Sequence, residues 1–388
     1  MNCEYYLDNS ATTKPKSEVV EAMMPYLNDK WYNPSSLYLS AKKIKKDIEN
    51  ARTTVGNFIN AYSNEIFFTS GGSESNCLAI RGFVDWCIFE NHHKPAVITT
   101  TIEHKSIMEC TKNLPIGTDV RYIDVDEHGF VKASDLEKEL IDASRNNKRV
   151  LVSIAFANNE IGTIQNIKEL SYIVHKYDAV FHVDAVQALG RIPIDVRYYG
   201  VDMMSVSGHK IGCPKGIGCL YKRHNVDIKP IIYGSQMDGI RGGTENVPYI
   251  IGMAKAIELL KDDIKNNSRL KMINNYFVSE LERVGCKFNG AAEERLSNNI
   301  SIVLPNGVNG ESFLYSLEIC GIYVSTGSAC NSKSVEPSYV LKAIGLTDDE
   351  AARTIRITFD SSVTMEDIDK IVTQIEKTVW LFNNMAAI

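Results

Sequence analysis

A lysine just after one predicted strand and an aspartate at the end of another are the residues that most clearly indicate a catalytic site. Lys210 ends the stretch 205–210, and Asp184 ends the apolar part of the stretch 181–187. A lysine in a partly buried loop end can have a lowered pKa and form a Schiff base. A carboxylate at a strand end can hold a pyridine nitrogen protonated, which makes the ring an electron sink. A solvated loop lysine and a helix-capping aspartate are the alternatives.

A glycine-rich turn follows the apolar run 66–69. It reads Ser-Gly-Gly-Ser-Glu-Ser-Asn over residues 70–76 and opens a helical stretch. Gly72 lets backbone N–H groups approach an anion at the helix N-terminus, and the Ser73 hydroxyl can bind a phosphate oxygen. Ser207 and His209, beside the lysine, can bind the same group. A plain turn capped by Ser73 is the alternative.

Three further side chains suit binding or proton transfer near such a cofactor. His104 follows another predicted strand and can stack on a flat ring or move protons. The Asn159 amide can bind a cofactor oxygen or a substrate carboxylate, or it can fix a turn. Arg356 lies in an apolar strand and requires an anionic partner, which is either a substrate carboxylate or a structural acid.

One cysteine stands out among the nine in the chain. Cys330 lies in a polar stretch of small residues, 325–332, where a thiol is exposed and reactive. A chance surface cysteine is the alternative. No two cysteines have CxxC spacing, which argues against a structural zinc site and a redox dithiol. The odd count, without a disulfide framework, suggests a reducing compartment.

Alternating strands and helices predict the fold that positions these residues. Six apolar runs are predicted strands, at 66–69, 96–101, 149–157, 180–183, 203–207 and 218–221. Helical segments between them, such as 40–59, indicate an α/β fold with a doubly wound, mostly parallel sheet. After residue 243 a long helical stretch, 248–281, leads to a smaller α/β unit. We predict a large domain at 15–258 and a small domain formed by 1–14 and 259–388.

Composition sets limits on the class of protein. With 388 residues, 44% hydrophobic, the chain is long enough for two domains. A formal net charge of −6 argues weakly against nucleic acid as the main partner. The first residues resemble neither a signal peptide nor a transit peptide, and no apolar run reaches the length of a membrane span. We expect a cytoplasmic protein.

Together the motifs resemble the cysteine desulfurases, which are pyridoxal 5'-phosphate (PLP) enzymes of fold type I in the class V aminotransferase family. The resemblance runs nearly end to end. It rests on residues 6–13, 33–36, 71–76, 103–105, 158–160, 184–187, 207–210, 214–218, 241–246 and 327–330. The long stretch 331–339 after Cys330 is similar to the group with a long catalytic loop, the nitrogen-fixation and iron–sulfur-cluster type.

The resemblance implies a role for each candidate residue. Lys210, Cys330 and His104 are the implied catalytic residues, and Asn159 and Arg356 are the implied ligands of the substrate carboxylate. The implied cofactor-binding residues are Gly72, Ser73, His104, Asn159, Asp184, Gln187, Ser207, His209, Lys210 and Thr244. In relatives the residue matching Thr244 reaches the phosphate bound by the other subunit, so a homodimer is implied.

The resemblance also implies the reaction. L-cysteine is converted to L-alanine, and the sulfur is held as a persulfide on Cys330 for an acceptor protein in iron–sulfur cluster assembly or tRNA thiolation. Selenocysteine lyase, another class V activity, a non-catalytic subunit of a sulfur-transfer complex and a nucleotide-binding module are the alternatives. Direct nucleic-acid binding, membrane binding and a metal site are not expected. Three positions depart from the family pattern, namely Ser10, Cys213 and Met237.

Overall fold

The computed structural model describes residues 4–90, 94–145, 148–265, 267–326 and 337–385. The strands are β1 Tyr5–Tyr6, β2 Ile66–Thr69, β3 Pro95–Thr100, β4 Asp119–Ile123, β5 Arg149–Ala155, β6 Val180–Asp184, β7 Met203–Ser207, β8 Gly218–Lys222, β9 Lys287–Phe288, β10 Asn299–Val303, β11 Ile322–Tyr323, β12 Ser325–Thr326 and β13 Thr354–Thr358. The helices are α1 Ser17–Asn28, α2 Leu39–Phe58, α3 Gly72–Phe89, α4 Lys105–Lys112, α5 Ala133–Arg145, α6 Ile167–Lys176, α7 Val196–Tyr199, α8 Val247–Lys265, α9 Asn267–Arg283, α10 Gly310–Ile319, α11 Tyr339–Ala343, α12 Asp348–Ala352 and α13 Met365–Met385. Short 3-10 turns cover Ser63–Glu65, Gly208–Lys210 and Met237–Gly239.

The central sheet has seven strands in the order β2-β8-β7-β6-β5-β3-β4. The pairs from β7 to β4 are parallel, whereas β8 is antiparallel to both of its neighbours. Strand β2 therefore runs in the same direction as β7. The carboxyl ends of β2, β7, β6, β5 and β3 consequently share one edge of the sheet, which is where ligands bind in open α/β folds.

Apolar stripes on the helices cover the sheet. In α2 the buried side chains include Ala41, Ile44, Ile48 and Val55, at the spacing expected for one helix face. Helix α8 packs against α1 and α2. Together with the inner strands these helices form the largest hydrophobic core.

The two ends of the chain meet in a second core. Strand β1 pairs in parallel with β11, and the antiparallel sheet β12-β13-β10-β9 lies in the C-terminal part. Leu7 is fully buried in a cluster that also contains Phe277, Phe313 and Phe359. Backbone hydrogen bonds join Leu7 to Tyr323 at 2.8 Å and to Thr358 at 2.7 Å.

The predicted fold class is confirmed, and the six predicted strands of the large sheet are all present with small differences at their ends. The stretch 248–281, predicted as one helix, is instead divided between α8 and α9. In the smaller unit, two short strands that are close in sequence pair in different sheets, β11 with β1 and β12 with β13. The boundaries proposed for the two domains stay a prediction.

Strand β4 contains no apolar run, because it lies at the edge of the sheet and is partly exposed. Its residues alternate between charged and apolar types, and Arg121 forms ion pairs with Asp119, Glu139 and Asp142.

Across the described ranges, no helix is both long and apolar enough to span a bilayer.

Candidate active site

A cavity of about 300 Å³ opens at the shared carboxyl edge of the central sheet. Ten of the residues predicted for the site line it: Gly72, Ser73, His104, Asn159, Asp184, Gln187, Ser207, His209, Lys210 and Arg356. They come from the ends of four strands (β3, β5, β6 and β7), from the start of α3 and from β13. The strand order thus brings together side chains that lie up to 284 positions apart, from Gly72 to Arg356.

Lys210 faces the N-terminal segment across the cavity. Its ammonium donates hydrogen bonds to the carbonyl oxygens of Ser10 and of Ala11, the latter at 2.7 Å. The Gln187 amide donates to the same Ser10 carbonyl at 3.1 Å. The N-terminal segment therefore forms one wall of the cavity and positions the lysine amine.

Asp184 lies at the end of β6 and is buried. One carboxylate oxygen accepts the Val186 N–H at 2.9 Å, and the other accepts the Asn76 amide at 2.8 Å. The two donors fix the orientation of the carboxylate in the cavity wall.

His104 is the N-terminal cap of α4. Its Nδ1 accepts the Ser106 N–H at 3.1 Å and lies 2.8 Å from the Ser106 hydroxyl. The pKa of His104 is lowered, first by burial and then by the charges of Lys210 and Lys105, although Asp184 opposes them. The lowered pKa favours the neutral imidazole at physiological pH, and His104 lines the cavity.

The glycine-rich turn gives the cavity a floor with no side chain at its centre. A Cβ atom at Gly72 would lie 2.7 Å from Cγ2 of Val186, so only glycine fits. Glu74 fixes the turn by accepting the Ser70 N–H at 2.7 Å and pairing with Arg241 at 2.8 Å.

Ser73, Ser207 and His209 also line the cavity, and Ser207 lies beside Gly72. Burial and the nearby charge of Lys210 lower the pKa of His209 to about 4. His209 is therefore a neutral donor or acceptor, and its Nδ1 lies 3.2 Å from the Thr12 hydroxyl. Backbone and hydroxyl groups, with the lysine, form a cradle suited to a phosphate.

Arg356 has a structural acid as a partner and also lines the cavity where a substrate carboxylate could bind. It is buried on β13, pairs with Asp8 at 2.7 Å and donates to the Asn159 carbonyl at 3.2 Å. Its Nε is buried and has no hydrogen-bond partner among the described residues. The guanidinium therefore has a structural partner and also lines the cavity with donor capacity to spare.

Of the predicted residues that the structure describes, Thr244 is the one that does not line the cavity, and it is exposed on a separate loop. Cys330 lies outside the described residues.

Met237, one of the departures from the family pattern, lies in a turn with unusual backbone geometry. Met237, Asp238 and Gly239 all have positive φ, at 47°, 57° and 79°. The Asp238 carboxylate lies 3.3 Å from the guanidinium of buried Arg52. The acidic side chain adjacent to Met237 thus satisfies a buried cation.

Both residues at the start of α11 contact the strand-end segments that carry His104 and Asn159. The Ser338 hydroxyl donates to the Glu160 carboxyl at 2.5 Å, and the Tyr339 hydroxyl donates to the Glu103 carbonyl at 2.5 Å. Burial raises the pKa of Glu160 to about 7 and that of Glu103 to about 8. The residues that follow the 327–336 stretch are therefore anchored beside the site.

Sequence reasoning assigned no role to four residues that organise the cavity: Asp8, Ser10, Asn76 and Ser106. Asn76 lies one helical turn after Gly72, a spacing that places both on one face of α3. That spacing is the signal that could have identified it. The carbonyl of Ser10 acts through the backbone, so its residue type carries no signal.

The sequence profile described as "Aminotransferase class-V" matches residues 5–371. The chain belongs to the class V aminotransferase family.

Within this family the most similar relatives include proteins named cysteine desulfurase IscS. The one from Dictyoglomus turgidum is 43% identical over 98% of this chain and 95% of its own length. The one from Methanosarcina thermophila is 41% identical over 99% of this chain and 94% of its own length. The predicted resemblance to class V cysteine desulfurases is confirmed.

Solved structures of class V family members match the same architecture. A NifS-like protein aligns with a TM-score of 0.89 at 34% identity, covering 98% of this chain and 100% of its own. SspA, described in complex with cysteine, aligns with a TM-score of 0.80 at 34% identity, covering 92% and 99%. The predicted NifS-like fold of type I is confirmed.

Proposed function

We propose that this class V family member is a cysteine desulfurase that uses PLP, converts L-cysteine to L-alanine and holds the sulfur as a persulfide on Cys330. The observation that carries the proposal is the convergence of the Lys210 amine, the Asp184 carboxylate and Arg356 on one cavity. Full-length relatives that bear the name cysteine desulfurase support it.

The residues of the cavity fit PLP. Lys210 offers the amine that a PLP aldehyde requires, and buried Asp184 offers the anion that a pyridinium nitrogen requires. Gly72 leaves space where any other residue would clash, beside Ser73, Ser207 and His209, which would hold the phosphate. Gln187 would lie near the phenolic oxygen, and the His104 ring would stack on the cofactor. When bound, PLP supplies an electron sink for the bond broken at the substrate α-carbon.

Arg356 and Asn159 would bind and orient the substrate carboxylate. Arg356 lines the cavity, and a guanidinium has the fork of N–H donors that matches a carboxylate. Lys210 would then remove the α-proton and return a proton to the product, because its amine is the base at the centre of the cavity. Asp184 would hold a proton on the ring nitrogen throughout.

Cys330 would carry out the sulfur step. Its thiolate attacks the sulfur of the substrate, an S–S bond forms, and the C–S bond breaks with its electron pair passing to the carbon fragment that becomes alanine. No outside oxidant is required, because the sulfur moves as a sulfane atom. An acceptor protein for iron–sulfur cluster assembly or tRNA thiolation would then take the sulfur from Cys330.

We further infer that the chain acts as a cytoplasmic homodimer. Thr244 is exposed outside its own cavity, as a residue that serves a neighbouring subunit would be. Large apolar side chains are also exposed around the start of α2, where the rings of Tyr32 and Trp31 stack. These exposed residues are Leu27, Trp31, Leu37, Tyr38 and Leu39. A patch of this kind is typical of an interface.

The test is absorbance spectroscopy followed by a product assay. The purified protein should absorb near about 400 nm because of lysine-bound PLP, and addition of L-cysteine with a reductant should give alanine and sulfide in equal amounts. Cys330→Ala should retain the absorbance but lose sulfide release, whereas Cys320→Ala should retain both, because Cys320 is exposed and lies outside the cavity. Sulfide release that survives Cys330→Ala would refute the persulfide step, and absence of the absorbance would refute the cofactor.

A further inference from the structure

Ser106 contacts His104 through two groups at once. Its backbone N–H donates to Nδ1 at 3.1 Å, and its hydroxyl oxygen lies 2.8 Å from the same nitrogen. The donor and acceptor in the second contact depend on where the Ser106 hydroxyl proton lies. The neighbours of Ser106 determine that position.

Asn76 is the neighbour that fixes the Ser106 hydroxyl. Its amide nitrogen lies 2.9 Å from the hydroxyl oxygen and 2.8 Å from Oδ2 of Asp184. A carboxylate only accepts hydrogen bonds, so the amide must present its NH₂ group and not its oxygen to Asp184. Asn76 is 1% exposed, and its contact with Asp184 is buried.

The proton positions then follow one from another. One amide hydrogen of Asn76 goes to Asp184, and the other goes to the oxygen of Ser106. The Ser106 hydroxyl hydrogen is therefore directed at Nδ1 of His104, as the Ser106 backbone hydrogen already is. With two donors aimed at Nδ1, the single proton of the neutral ring lies on Nε2.

We propose that Ser106, with its hydroxyl oriented by Asn76 and Asp184, is a positioning residue that holds His104 as the neutral tautomer protonated on Nε2. The ring then offers the cavity an N–H donor and not a base. The inference depends on the proposed function only in treating this cavity as the place of reaction.

The charges around His104 agree with this assignment. Asp184 alone favours the imidazolium form, while Lys210 and Lys105 oppose it together with burial, and the nearby His209 is itself neutral. Protonation would also remove the cap of α4 and place a positive charge at a helix N-terminus, which is unfavourable. A neutral histidine held at a helix N-terminus can serve as a hydrogen-bond donor to a reacting group.

Nuclear magnetic resonance tests the tautomer directly. The holoenzyme is prepared with ¹⁵N-labelled histidine, and the spectrum of the His104→Gln variant assigns one of the eight histidines. We expect His104 to show an unprotonated Nδ1 and a protonated Nε2 throughout the range in which free histidine titrates, around pH 6.5. A protonated Nδ1, or an imidazolium at neutral pH, would overturn the proposal.

Variants of Ser106 test the role of the hydroxyl. Ser106→Ala removes one donor to Nδ1 and should raise the pKa of His104, because that donor favours the neutral ring. The acidic limb of the pH profile of kcat should move to higher pH, with kcat lower by about 2- to 10-fold, the value of one hydrogen bond. Ser106→Thr should restore the wild-type profile, and Ser316→Ala, at an exposed helix position, should not change it.

Failure of the tautomer proposal can be distinguished from failure of the proposed function. The ¹⁵N signals report the tautomer whether or not the protein releases sulfide from cysteine, so an inactive protein with the expected signals would refute the proposed function alone. If Ser106→Ala altered neither the His104 signals nor the pH profile, the hydroxyl would have no positioning role.

Discussion

At the scale of single residues, the cavity is organised by groups that hold the reactive side chains from behind. The Ser10 carbonyl accepts from both Lys210 and Gln187, and Asn76 joins Asp184 to the histidine cap. Catalytic groups need such support, because small errors in position cost large factors in rate. Arg356 differs from the others in that its partner Asp8 is an anion that competes with a substrate carboxylate.

The geometry of Arg356 leads to a prediction about substrate binding. Arg356→Lys should raise KM for L-cysteine by about 10- to 100-fold with a smaller effect on kcat, because an ammonium cannot bind a carboxylate in the two-pronged way of a guanidinium. Steady-state kinetics would measure the change. Arg353→Lys is the matched control. Arg353 immediately precedes β13, and its ion-pair partner is Asp349. An unchanged KM in Arg356→Lys would show that Arg356 forms a structural ion pair with Asp8 and does not bind the substrate carboxylate.

The contrast between predicted and unpredicted residues has a physical cause. Lys210, Asp184 and His104 could be identified from sequence, because each reactive type follows an apolar run and parallel strands end at one edge. Asp8 and Ser106 could not, because a short polar side chain near a turn is common and acquires a role only through a partner far along the chain. The ion pair of Arg356 with Asp8 joins residues 348 positions apart, and local pattern does not contain that contact.

At the scale of elements, α11 links the C-terminal part of the chain to the strand ends of the large sheet. Val340, Leu341 and Ile344 pack against Ile102 and Ile161, which flank the segments carrying His104 and Asn159. The hydrogen bonds of Ser338 and Tyr339 reinforce this contact. Helix α11 has only five residues, so its stability must come from these contacts and not from helix propensity.

The contact of Tyr339 can be measured by itself. Tyr339→Phe removes the hydroxyl donor to the Glu103 carbonyl and should lower the free energy of unfolding by about 0.5–1.5 kcal/mol. Chemical denaturation would give the value. Tyr315→Phe, whose hydroxyl contacts Glu311 on the surface, should change stability by less than about 0.5 kcal/mol. Equal effects in the two variants would show that the contact to Glu103 contributes nothing specific.

At the scale of the whole molecule, the N-terminal segment is shared between the cavity and the C-terminal core. Its carbonyls at Ser10 and Ala11 face Lys210, while Leu7 is buried among C-terminal side chains. Periodicity contributes nothing to the prediction that residues 1–14 join the C-terminal part, because β1 has only two residues. Its role depends on pairing with β11 and on the bridge between Asp8 and Thr358.

Leu7 provides a test of this shared role. Leu7→Ala should destabilise the protein by about 2–5 kcal/mol, since it removes a fully buried side chain and leaves a cavity. It should also weaken cofactor retention, because the same segment positions Lys210. Thermal unfolding and the absorbance of the bound cofactor would measure the two effects. Ile319→Ala, at a position 84% exposed and outside the apolar patch around α2, is the control and should leave both unchanged. Loss of stability without loss of cofactor would show that the packing of Leu7 in the C-terminal core does not affect how the N-terminal segment positions Lys210.

The pairing of β1 with β11 also constrains how the protein is made. Residues Tyr5 and Tyr6 leave the ribosome 317 residues before their partners Ile322 and Tyr323. Domains generally fold in order of synthesis, and contacts between distant residues form slowly. The large sheet can therefore assemble while one wall of its cavity is still missing. Competence to hold the lysine amine in place would then arise as one of the last events of biosynthesis.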